Sequence, residues 1–163
     1  MQQQIRMAVF ETNSSSTHAI SICRESADWD MTSALEKTLP SDGFLKSSGG
    51  DFGWGVESHS DFQTKLDYLV THIYSGDAKD GLRKKEHWHD SVKNQRDMLD
   101  TVLSQNIDGC KGVKVIPTVG YYPLGYIDHQ SAGTASHAFI DESALVGYLF
   151  SEKSVLYIDN DNH

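Results

Sequence analysis

Three short segments hold the residue types from which a site could be built. The first is Asn13-Ser14-Ser15-Ser16-Thr17-His18, small hydrogen-bonding side chains followed by a titratable imidazole. Hydroxyls and backbone amides in such a run can cradle an anion without a net positive charge. The run has no Gly-Lys pair, so it is not a Walker phosphate loop. A polar hairpin whose serines cap their own backbone would use the same residues. The second segment runs from Ser47 to Gly55 and sets Gly49, Gly50, Gly53 and Gly55 around Asp51, Phe52 and Trp54. Glycine at that density means backbone passing close to something, either a ligand or another strand. The third runs from Gly125 through Tyr126, Ile127, Asp128 and His129 to Ser131. A carboxylate next to an imidazole is an acid–base arrangement used in hydrolysis. Neighbours on a strand point to opposite faces, so Asp128 can orient His129 only if the strand has ended.

Other constellations are weaker. Of the eight histidines, His87 and His89 flank Trp88 two residues apart. On a helix they diverge by about 200° and cannot chelate one ion. No metal site is expected, and no cofactor follows from the spacing. His-x-Ser occurs at His89–Ser91 and His129–Ser131, but the middle residues, Asp90 and Gln130, are polar where a two-histidine phosphoesterase needs apolar ones. Cys23 and Cys110 match no zinc or redox spacing and read as reduced thiols.

The elements that must position these segments follow from periodicity. Ile5–Phe10 and Ala19–Cys23 read as strands, Ser26–Leu39 as a short helix, and Pro40–Gly55 as the longest loop. Ser60 with Gln63 forms a capping box, after which Phe62, Leu66, Leu69, Val70 and Ile73 repeat at helical spacing, with Gly76 as a cap. A second helix spans about Arg83 to Asn106. Gly112–Val119 and Tyr121–Ile127 read as extended, Asp141 caps a helix through Phe150, and Ser154–Asp159 is a final strand. The expectation is one α+β domain over residues 1–159, followed by a polar tail at 160–163. Its mixed or antiparallel sheet comes from the N- and C-terminal strands, with the two central helices packed on it.

Composition narrows the function classes. Fourteen basic against twenty-three acidic residues leave a net charge of −9. That argues against a protein that grips duplex nucleic acid by neutralising its phosphates. The imbalance is regional. Residues 1–60 carry four basic and eight acidic groups, residues 61–119 nine of each, and residues 120–163 one against six. An anionic ligand at Asp128–Ser131 would therefore depend on amides, hydroxyls and histidine, and its binding should weaken as pH rises through about 6.5. No secretory signal is expected in MQQQIRMAVFETN, and no run approaches the roughly 20 apolar residues of a membrane span.

The motifs FETNSSSTH (Phe10–His18), GGDFGWG (Gly49–Gly55), YIDHQS (Tyr126–Ser131) and the closing NDN (Asn160–Asn162) are spread over nearly the whole chain. Through them the chain resembles an uncharacterised family of small proteins encoded by tailed bacteriophages and prophages. Related sequences tend to have Glu at the position of Asp51 and Thr-Gly at Ile158–Asp159. The resemblance implies an accessory role, of the host-takeover or anti-defence type, in the host cytoplasm.

Together these readings lead to a protein that binds a small polar, phosphorylated or nucleotide ligand, with turnover left open. His18, His129, Asp51 and Asp128 are the catalytic candidates. Asn13, Ser14, Ser15, Ser16, Thr17, Trp54, Tyr126 and Ser131 are the ligand-binding candidates. The three segments should then lie within about 10 Å of one another. The alternative is an acidic, non-catalytic inhibitor of a host enzyme, in the extreme a nucleic-acid mimic. Either reading is compatible with a homo-oligomer, and neither involves a membrane.

Overall fold

The computed structural model describes residues 16–24, 29–53, 55–79, 86–120, 122–128, 131 and 133–160. The elements in chain order are β1 (Ser16–Ser21), α1 (Trp29–Thr38), β2 (Phe44–Ser47), β3 (Gly50–Phe52), β4 (Glu57–His59), α2 (Phe62–Lys79), α3 (Glu86–Asn106), β5 (Gly112–Val115), β6 (Gly125–Ile127), a 3-10 helix (Thr134–Phe139), α4 (Glu142–Phe150) and β7 (Val155–Asn160). The class is α+β. Strands β1, β7 and β4 form an antiparallel sheet in that order, which joins the N- and C-terminal strands. Two smaller parallel pairs, β2–β5 and β3–β6, complete the extended structure.

The core follows from helical periodicity. Leu66, Leu69, Val70 and Ile73 of α2 meet Leu99, Val102 and Leu103 of α3 and Leu145, Leu149 and Phe150 of α4, all nearly or wholly shielded from water. Each such side chain is worth about 1.5–3 kcal/mol. Helix α2 packs on α3, α4, β2, β3 and β6, and so sits between the small parallel pairs and the other helices. In β7, Leu156 and Ile158 turn inward while Tyr157 is 43% exposed, the two-residue alternation of a half-buried strand. The β1 register places His18 opposite Ile158 and Ile20 opposite Leu156. His18 thus occupies a core-facing position.

Several boundaries differ from the sequence reading. The Pro40–Gly55 loop contains β2 and β3, and β4 follows it. These strands have three or four residues and find their parallel partners more than 60 residues away, so no local alternation marks them. Asp61, rather than Ser60, caps α2: its Oδ1 accepts from the Thr64 amide at 2.8 Å. Gln63 instead donates to the Lys46 carbonyl and to Asp67. Gly76 lies inside α2, which runs on to Lys79. At the other end β7 reaches Asn160, which pairs with Ser16, so the strand takes in the first residue assigned to the tail. The Asp141 cap of α4 is as expected, its side chain accepting from Ala144 N at 2.7 Å. The Ile5–Phe10 strand lies outside the described residues.

Candidate functional site

His18 is the polar residue set most deeply into the apolar side of the terminal sheet, at 4% exposure. In an antiparallel pair alternate residues turn both backbone groups away from the partner strand. At His18 these groups go to side chains: its N–H donates to Ser131 Oγ at 3.0 Å, and its carbonyl accepts from Thr134 Oγ1 at 3.3 Å. Ser131 and Thr134 thereby cover the edge of β1 at this position. The imidazole Nδ1 lies 3.1 Å from the Tyr68 hydroxyl of α2. Nε2 is buried and has no hydrogen-bond partner among the described residues.

The third segment is brought here by the second. Strands β3 and β6 pair in parallel with Phe52 opposite Ile127, both buried. The pairing depends on glycine: Gly125 has φ 79°, and a Cβ there would strike the backbone of Gly50. The glycine-rich segment therefore makes its close approach to another strand. Strand β6 ends at Ile127, and the Asp128 amide then donates to the Phe52 carbonyl at 3.4 Å. The Ser131 amide donates to the Asp128 carbonyl at 2.9 Å, which ties Asp128 to the residue whose hydroxyl holds His18. Phe52 seals the arrangement from below, its ring edge-on to Tyr68 at 5.0 Å.

Electrostatics fix the protonation. Burial lowers the His18 pKa from 6.5 to about 4, and the charge of Asp128 opposes that shift. The ring is therefore neutral at pH 7. Burial also raises the Tyr68 pKa, so the phenol keeps its proton. This corrects the expectation of a transition near pH 6.5 at His18. In water the imidazolium is well solvated, but here the sheet and α2 have replaced that water.

The structure divides the sequence-derived candidates. His18, Asp128 and Ser131 converge. Asp51 does not join them: it is exposed on the face of β3 opposite Phe52. Tyr126, its register partner, shares that outer face and packs on Tyr122 at 5.0 Å between ring centroids. Thr17 is exposed, pointing away from the core next to His18. Ser16 is part of β1, not of a loop, and pairs with Asn160. Asn13, Ser14, Ser15, Trp54 and His129 lie outside the described residues.

Two residues escaped the sequence reading. Tyr68 holds the imidazole. Lys65, one turn earlier on α2, is fully buried, and its Nζ donates to the carbonyls of Ser151 at 3.0 Å and Ser154 at 3.5 Å. Burial lowers its pKa to about 8, against the opposing pull of Asp61 and Glu152. A signal was present: positions 62, 65, 66 and 69 share one helical face, so a lysine at 65 falls on an apolar stripe.

Among the described residues no group of three His, Cys, Asp or Glu side chains is placed to hold a metal ion. None of their helices is long and apolar enough to cross a membrane. A comparison of the chain with known protein families, curated proteins and solved structures finds no match.

Proposed function

We propose that the chain is a bacteriophage-type accessory protein, active in the infected host cell, that binds a small polar ligand of the nucleotide class at His18, Asp128 and Ser131. The observation that carries this reading is Nε2 of His18, buried and unpartnered among the described residues, with a half-buried carboxylate acting on the same ring. An unsatisfied buried polar atom costs about 1–3 kcal/mol. That cost, carried by a residue whose two backbone groups are both satisfied, supports a role for the ring in binding.

The reading favours binding over hydrolysis. Ser131 meets His18 through the backbone amide, and Nδ1 is occupied by Tyr68, so these contacts do not form a nucleophile with its base.

Native mass spectrometry of the full chain with a nucleotide panel tests the proposal. A one-to-one adduct that disappears in His18→Phe supports it. A protein that stays ligand-free across the panel, or a variant that keeps the adduct, overturns it.

A further inference from the structure

The two edges of the terminal sheet differ. At β1 the outward backbone groups of His18 are taken up by Ser131 and Thr134. The opposite edge is β4. Alternation along an antiparallel ladder fixes which of its groups turn outward. His18 bonds away from β7, so its register partner Ile158 turns its amide and carbonyl to the other side, toward Glu57. Glu57 and His59 therefore bond to β7, and the N–H and C=O of Ser58 between them point away from the sheet. Among the described residues no other element hydrogen-bonds to these two groups. Ser58 is exposed, and Val56, just before the strand, is 66% exposed. An edge of this kind accepts a further strand.

The side chains decide which strand fits. Glu57 and His59 share one face of β4, with Oε2 of Glu57 2.8 Å from Nε2 of His59, and both remain partly exposed. A carboxylate and an imidazole two residues apart are their own complement in an antiparallel pair. With Ser58 on a two-fold axis, Glu57 of each copy stands directly opposite His59 of the other, and the two Ser58 residues exchange both backbone bonds. Moving the axis by one residue to either side sets Glu57 against Glu57, or His59 against His59. The groups that guard the edge against other partners thus select this register.

We propose that β4 is a docking edge for a second copy of this chain, joining two three-stranded sheets into one continuous sheet through Ser58 and reciprocal Glu57–His59 pairs. The contact is short, and two chains of net charge −9 repel each other, so the dimer is weak and reversible.

Sedimentation velocity of the full chain from about 1 μM to about 1 mM tests this. The mean mass should rise toward that of two chains. A chain that stays monomeric throughout overturns the proposal and leaves the edge to a strand of another protein or to none. Ser58→Pro should raise the dissociation constant at least about tenfold, because proline removes the outward N–H and leaves the bonds to β7 in place. A dimer of unchanged affinity in that variant overturns the proposal, since association would then use another surface. His59→Glu sets carboxylate against carboxylate and should weaken the dimer about fivefold or more, and adding Glu57→His should restore it. This rescue serves even if Ser58→Pro does not fold: a double variant no tighter than His59→Glu alone overturns the pairing.

Discussion

Two polar side chains leave the buried face of α2 one turn apart and meet different surroundings. Lys65 reaches the end of α4, where the carbonyls of Ser151 and Ser154 accept from its ammonium and the Tyr148 ring lies 5.9 Å from Nζ. Tyr68 reaches β1, where its hydroxyl engages one nitrogen of His18 and leaves the other unpartnered among the described residues. Each region contains one such atom, since the Tyr148 hydroxyl is also without a described partner. Their settings differ. Tyr148 is wholly enclosed by the core, whereas the His18 ring feels the charge of a half-buried carboxylate near the surface. The comparison teaches that burial of a polar group is not by itself a sign of function. What matters is whether the group is fully employed, and whether a charged group acts on the ring that carries its unpartnered atom.

The sharpest way to break this comparison is to remove the employed group. Lys65→Ala should lower stability by about 3–4 kcal/mol, through lost packing and two carbonyls left without their donor. Urea unfolding measures the loss, and ligand binding at His18 should be unchanged in the protein that remains folded.

The two regions also separate by pH. For His18 the folded pKa of about 4 lies below the unfolded 6.5, so the unfolded chain binds more protons in between. Stability is then complete above about 6.5 and falls as pH drops toward 4, by about 3 kcal/mol from this group. For Lys65 the folded value of about 8 lies below 10.5, so stability should rise between those limits by a similar amount. Urea midpoints followed across pH should show both slopes. His18→Phe should flatten the acid window alone, and Lys65→Met the alkaline one alone.

Gly125→Ala addresses the support of the His18 region. A Cβ against the Gly50 backbone, at a positive φ, should cost about 2 kcal/mol or more and disturb the β3–β6 pairing that leads into Asp128. Stability and ligand affinity should fall together, in contrast to Lys65→Ala.

The smallest effect sharpens the comparison most. His18→Phe alone strands the Tyr68 hydroxyl and should cost about 1–2 kcal/mol, whereas His18→Phe with Tyr68→Phe should recover most of that loss. A double variant no more stable than the single one would show that the His18–Tyr68 contact is not the coupled pair described here.

Much of the frame was legible in the sequence because local rules govern it. The α2 stripe, the Asp141 cap of α4 and the alternation of β7 each follow from residues a few positions apart. Strands β2 and β3 were missed for the opposite reason: their evidence sits in β5 and β6, far along the chain. The three unusual segments could be seen as unusual, but not as two separate groups. Which side of β3 Asp51 takes depends on a pairing register that only the partner strand sets.

Residue types, the α+β class, the acidic ends and the scarcity of cations after Lys114 were determined by the sequence alone, since composition and short-range periodicity need no partner. The tertiary structure decided that His18 faces the core, that Tyr68 holds its ring and Ser131 its backbone, and that Asp128 stands near while Asp51 turns away. It also decided that the imidazole is neutral at pH 7. Protonation depends on the water around the ring, and it is the packing of β1 against α2 that removes that water.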